Sequence, residues 1–219
     1  MSKQQLSALV KKEFLLEFRQ KSTLAGIAVY IIATVFISAL SFSQKIHVTV
    51  WNALFWVIFM FIAVNVSGKS FIQETKGKAL YNYIYYNARQ FILSKILYNM
   101  LLMAALSLFT FFFYAWFVGN VVQDMALFLI VLLFSSTAFS GVLSLMSAIA
   151  SKSGNNMSLM AILSFPVLMP LLLVSIKVSK NAIDGLAWSV SLNYLLILVM
   201  LNFVVITLAT LLFNYLWRE

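Results

Sequence analysis

The chain has 219 residues, 63% of them apolar and 10% charged, with a formal net charge of +9 and a mean hydropathy of +0.98. An ordinary soluble domain carries about 25% charged residues, and a chain this apolar cannot cover itself with polar side chains in water. A soluble enzyme, a disordered linker and a secreted disulfide module are therefore excluded, and the lack of cysteine removes a thiolate metal site and a cysteine nucleophile as well. What is left is an integral membrane protein, in which an excess of Lys and Arg reports topology rather than nucleic-acid binding.

The leader, Met1–Ser22, carries Leu6, Val10, Phe14 and Phe18 at helical spacing, interrupted by Glu17 and Lys21. This pattern predicts a moderately amphipathic helix. It reads either as a solvated helix leading into the first span or as an elbow lying on the inner membrane surface.

Six runs free of Asp, Glu, Lys, Arg and His follow: Thr23–Ser43, Val50–Gly68, Ile96–Val118, Met125–Ala150, Met157–Ile176 and Leu192–Trp217. A helix needs about 20 apolar residues to cross a bilayer. Barrel strands are about half that length and alternate strictly, and these runs do not. The expected fold is an all-α integral membrane protein of six transmembrane helices, forming one transmembrane domain over residues 1–219.

Alternate loops divide the basic residues twelve against three, with the leader and the Lys69–Lys95 segment on the rich side. The positive-inside rule then puts both termini in the cytoplasm. From Leu80 to Ile92, a wheel places Leu80, Tyr81, Ile84, Tyr85, Ala88, Phe91 and Ile92 together, as in an interfacial helix. Phe71-Ile72-Gln73-Glu74-Thr75-Lys76-Gly77-Lys78 precedes it. This polar stretch has one acid and a glycine that lets the backbone turn sharply. It reads as a plain solvated loop or as a docking elbow for a separate protein.

Several features carry no chemistry. Gly68-Lys69-Ser70 resembles the end of a P-loop, but the required earlier glycine is Ala63 and a span precedes it instead of a strand. His47 is the only histidine and reads as a solvated interface residue, with ligation of a haem iron as the alternative. No catalytic, cofactor-binding or metal-ligating set is present. Ser136, Ser140, Ser144 and Ala148 recur every four residues beside Gly141, which reads as close helix packing or as the lining of a translocation path. Asn65, Asn99, Asn202 and Asn214 are each expected to hydrogen-bond another helix, because an unpaired amide in hydrocarbon is costly. Pro166 and Pro170 stand four apart in the fifth span and predict a helix kink.

The uncharged spans also bear on energy supply. Ion-coupled carriers place ionisable groups inside the bilayer to bind the driving ion, and none is found in these runs. Sodium coupling through backbone carbonyls and hydroxyls is the open alternative, but it favours broken helices in paired halves; without it such a bundle needs an external energy source, which a partner ATPase would provide.

Three segments carry a family resemblance. They are Lys12-Glu13-Phe14 through Arg19, then Phe71-x-x-Glu74 with Leu80 and Ser94-Lys95-Ile96-Leu97, then Asn155 through Leu173 with Pro166 and Pro170. With six spans and both ends inside, the chain resembles the permeases of the ABC-2 type, and more narrowly the haem exporter protein B family of bacterial cytochrome c maturation. It departs from the family's pattern at Tyr81, Asn87 and Asn155.

The resemblance implies a non-enzymatic permease subunit in the cell inner membrane. It would pair with a cytosolic ABC ATPase beside a haem-handling protein of WWD type, a small membrane subunit and a haem chaperone. Haem export, or release of haem-loaded chaperone at the outer face, would be driven by ATP hydrolysis on the partner. The leader and residues 69–95 would be the elbow and coupling segments, with Phe71, Glu74, Gly77 and Leu80 facing the ATPase. No cofactor site is implied on this chain itself, and haem is met through the complex. A generic ABC-2 exporter of a lipid, drug or peptide and a non-transporting membrane scaffold are the competing readings.

Overall fold

The computed structural model describes residues 9–12, 14–15, 21–42, 46–67, 88–152 and 157–216, with backbone alone at 21–23, 88–92, 152, 157 and 213–216. The described leader residues are helical. Six long helices follow: α1 (Lys21–Ser41), α2 (Val48–Ser67), α3 (Ala88–Phe117), α4 (Met125–Lys152), α5 (Met157–Ile183) and α6 (Trp188–Leu216). All six are long and apolar enough to cross a membrane. Six crossings return the chain to its starting side, so one end of the bundle carries both termini (the near end). The other carries the connections at 42–47, 118–124 and 184–187 (the far end).

The helices overrun the predicted uncharged runs. α5 continues through Lys177 and Lys180 to Ile183, and α6 starts at Trp188, four residues before the predicted start. A lysine near a helix end keeps its apolar stem against the bundle while its ammonium finds a polar or aromatic partner. Lys177 does this, with its Nζ 4.5 Å from the centre of the Tyr194 ring, a cation–π contact. α3 starts at Ala88 and spans 30 residues, about 45 Å at 1.5 Å per residue. Its first turns take in the end of the segment expected to form a separate interfacial helix, so 88–92 continue into the span. Residues 80–87 of that segment lie outside the described residues.

α4 is the central helix, packed against α2, α3, α5 and α6, while α1 meets α2 and α3 at the edge. Composition explains the position. α4 carries Ser135, Ser136, Ser140, Gly141, Ser144, Ser147 and Ala148, all buried, and small residues let neighbouring backbones approach. At Gly141 an added Cβ would stand 2.7 Å from Cγ1 of Val205 on α6. The expected packing row is thus a packing row, with α6 seated against Gly141.

Large apolar side chains are abundant on the outside, among them Val29, Trp116, Leu173 and Phe203. This is the arrangement a hydrocarbon solvent allows, where burying a leucine against protein gains little over lipid. Hydroxyls on these faces hide by bonding their own helix. Thr34 Oγ1 donates to Tyr30 O at 2.8 Å, and Thr207 Oγ1 to Phe203 O at 2.8 Å.

The four asparagines behave differently from one another. Asn99 Nδ2 donates to Ser144 Oγ at 2.8 Å, joining α3 to α4. Asn202 joins α6 to α4 by donating to Phe134 O at 3.0 Å and accepting from Thr137 Oγ1 at 3.0 Å. Asn65 corrects the expectation, because it donates to Phe61 O of its own helix at 2.9 Å. It lies on the exposed face of α2, where the i−4 carbonyl of its own helix serves as acceptor. The side chain of Asn214 lies outside the described residues.

Candidate functional site: a far-end lock and a near-end leader contact

The far half of the bundle is built on an aromatic column. Trp51, Phe55 and Phe59 recur every fourth residue of α2, which places them on one helix face. Trp51 and Phe55 stack with centroids 6.1 Å apart, and Phe55 and Phe59 at 6.5 Å. Tyr114 on α3 meets the column edge-on at 4.9 Å from Trp51, Phe128 on α4 lies 5.7 Å from Phe55, and Phe139 lies 5.6 Å from Phe59. Trp51, Phe55, Trp56, Phe59, Tyr114, Phe128 and Phe139 are all fully buried.

Polar atoms inside this column are paired across helices. Trp51 Nε1 donates to Gly119 O at 2.8 Å, and the Tyr114 hydroxyl donates to Trp51 O at 2.9 Å. Gly119 has φ +97°, in the region open to glycine but strained for other residues. Asn52 Nδ2 donates to Ile176 O on α5 at 2.8 Å. Trp56 Nε1 donates to Ser179 Oγ at 2.8 Å, and Ser179 Oγ donates to Asn52 Oδ1 at 2.8 Å. α2 is therefore bonded to α3 on one side and to α5 on the other. Sequence reasoning passed over this lock, although Trp51-Asn52-x-x-Phe55-Trp56 was a usable signal: three large aromatic residues and an amide at helical spacing in one span.

The far-end loops add a third tie. Asp124 Oδ1 accepts from Leu127 N at 3.0 Å, which caps the start of α4. Its Oδ2 accepts from Trp188 Nε1 at 2.7 Å, and its backbone N–H donates to Ala182 O at 2.9 Å. One aspartate thus gathers the start of α4, the end of α5 and the start of α6. Asp124→Ala is expected to destabilise the bundle by about 1–2 kcal/mol, and Asp124→Asn by less, because the amide oxygen still caps. Thermal unfolding in detergent measures both; equal losses would remove the capping role. At Gly185, φ +65°, an added Cβ would collide with Gln123 Oε1, so this turn is also closed against the connection that precedes α4.

His47 is exposed, and its Nδ1 accepts from Thr49 N at 3.4 Å, while Trp51 N donates to its carbonyl at 3.0 Å. It sits at the start of α2 as an interface residue. Among the described residues no group of three His, Asp or Glu is placed to hold a metal ion.

At the near end the leader touches α3. Leu9 is buried, and Phe14 meets Tyr98 edge-on with centroids 5.0 Å apart. Ser94, Lys95, Tyr98 and Asn99 form one buried face of α3, as spacings of one, four and five residues allow. Sequence counting treated Lys95 as an exposed loop charge. The structure instead places it on a spanning helix with 1% of its surface exposed, one turn before the Tyr98 that meets the leader. Beside this face, Ile96, Leu145, Ala148 and Ala209 form a small near-end cluster from α3, α4 and α6.

Of the residues predicted to form the site, Phe71, Glu74, Gly77 and Leu80 lie outside the described residues. Pro166 and Pro170 lie on the exposed face of α5, and the helix runs from Met157 to Ile183 through both. Each proline removes an N–H, so the carbonyls of Ile162 and Pro166 lose their ordinary helical donors on the outward side.

An all-α bundle of six apolar helices, bonded through internal amides and hydroxyls, defines a multi-pass membrane protein. The family described as CcmB protein matches residues 4–215, nearly the whole chain. The chain belongs to that family and is a membrane component of a haem export system serving cytochrome c biogenesis. No curated protein matches it.

Proposed function

We propose that the chain is the permease subunit of an ABC-type complex in the cell inner membrane, with its near end and both termini in the cytoplasm. A separate ATPase docks on residues 69–95 and the leader. ATP binding and hydrolysis there move α3, and the movement reaches the far face, where haem is exported or a haem-loaded chaperone is released. The haem-handling membrane protein, the small membrane subunit and the chaperone complete the assembly. The bundle itself transmits motion, and haem is held by its partners.

The observation that carries this reading is the absence of any acid or histidine from all six spanning helices. A driving ion has no carboxylate or imidazole to bind. Family membership supports the haem system over a generic lipid, drug or peptide exporter. The leader contact supports the route of coupling, because Phe14 against Tyr98 links the cytoplasmic leader to the helix that directly follows the docking segment. Pro166 and Pro170 supply a weak point in α5 at which the far end can bend away from α4.

Glu74 is the only acid in residues 69–95. Glu74→Lys is expected to reduce co-purification of the ATPase at least tenfold, and Glu74→Ala by a smaller factor, with membrane insertion unchanged. Retention of the ATPase by both variants would remove Glu74 from the coupling role. Failure of the wild-type chain to bring down any ATPase would favour a scaffold without transport.

A further inference from the structure

α4 pairs its polar side chains with three different neighbours. Ser135 shares a hydrogen bond of 2.7 Å with Ser175 on α5, Thr137 bonds Asn202 on α6 at 3.0 Å, and Ser144 accepts from Asn99 on α3 at 2.8 Å. Two further hydroxyls on this helix do none of this. Ser140 and Ser147 are both 0% exposed, and the oxygen of each has no hydrogen-bond partner.

Their positions are not scattered. Ser140, Ser144 and Ser147 stand at i, i+4 and i+7, so the three hydroxyls lie one above another on a single stripe of α4. The middle one holds Asn99, and the unpaired ones sit a turn to either side. If close packing were the whole purpose, alanine would serve better. Ala148 continues the same row, and alanine buries no unpaired oxygen in a place where water is absent.

We infer that the α3–α4 seam is a ratchet with three stops. Asn99 exchanges its acceptor from Ser144 to Ser140 or Ser147 as α3 shifts along α4, and the two hydroxyls unpaired in this structure are the acceptors of the shifted states. Each step is about one helical turn, on the order of 5 Å, a size at which packed helices are known to have discrete alternative registers. The amide keeps a partner at every stop, so the energy differs little between stops and rises between them. The far-end bonds of Tyr114 and Gly119 to α2 oppose such a shift and must be exchanged or carried along with α3. The near end of α3 also carries the leader, through Tyr98 and Phe14. The trigger rests on the coupling reading given above; the seam itself does not.

The natural absence of cysteine allows a direct test. Asn99→Cys is combined in turn with Ser144→Cys, Ser140→Cys and Ser147→Cys, in membranes holding the whole complex, and treated with a short bifunctional thiol reagent. The Ser144 pair is expected to cross-link without nucleotide. At least one neighbouring pair is expected to rise threefold or more, at the expense of the Ser144 pair, when the ATPase is trapped with vanadate. Neighbouring pairs that form equally with and without nucleotide keep the ratchet and overturn the ATP-driven trigger. Cross-linking confined to the Ser144 pair under every condition, or absent from all three, overturns the ratchet. As a second readout, Ser140→Ala with Ser147→Ala should leave the amount of protein in the membrane unchanged and lower the yield of holo-cytochrome c at least fivefold. Full yield from that variant contradicts the inference, because a structural role predicts no loss from removing two oxygens that bond nothing.

Discussion

Trp51→Ala is expected to destabilise the protein by about 3–5 kcal/mol, the range for deleting a large buried aromatic side chain. Trp51 is 0% exposed and sits between Phe55, Tyr114 and Phe128. Truncation empties that space and also strips Gly119 O of its donor, leaving a carbonyl at the turn between α3 and α4 without the bond that fixes it. Both effects act at the far end, so the link from α2 to α3 should loosen first. The expected loss in melting temperature in detergent is on the order of 10 °C. Trp51→Phe separates the two contributions, since the ring volume is largely kept and only the indole N–H is lost; its cost should be about 1–2 kcal/mol. A Trp51→Ala protein that melts with the wild type would show that the aromatic column does not hold the far end together.

Gly141→Leu is the second large effect. α4 and α6 approach closely at this residue, where even a methyl group would stand 2.7 Å from Val205 Cγ1. Valine is stiff about χ1, so it cannot swing aside, and a whole leucine side chain forces the helices apart. The expected cost is about 3 kcal/mol or more, at the upper end of overpacking. The Asn202 bonds to Phe134 O and Thr137 would be strained in the same movement. Gly141→Ala should cost less, and adding Val205→Ala to it should restore most of the stability. Additive losses in the double variant, measured by thermal unfolding, would contradict the close approach as their cause.

Number and order of the spans were legible in the sequence because they depend on long apolar runs, a signal each segment carries alone. Span ends were less legible. Lys177 marked an end for a charge-based reading, yet its charge is accommodated by the Tyr194 ring, a partner 17 residues away that no local window includes. Lys95 was misplaced for the same reason. A lysine directly before a long apolar run looks like a boundary, and its burial shows only in the packed bundle.

The internal bonds show the limit more sharply. Asn99 and Asn202 stood out as amides in hydrocarbon, and both cross between helices. Asn65 has the same composition signal but faces outward, and the orientation of its helix decided the outcome. Asn52 and Ser179 lie 127 residues apart, and nothing short of the packed bundle connects them. The Ser136-to-Ala148 row was legible as packing. Its unpaired oxygens became visible only when every neighbour had been placed.

The account turns on the proposal that a bundle with no acid or histidine in its six spanning helices is moved by another protein. The most direct measurement follows holo-cytochrome c formation in sealed membrane vesicles containing this chain and its native partners, with ATP hydrolysis and the ion gradients abolished separately. Formation should stop when ATP hydrolysis is blocked and persist when the gradients are collapsed. Formation that runs on an ion gradient alone, with no ATP-hydrolysing subunit in the preparation, would contradict the account.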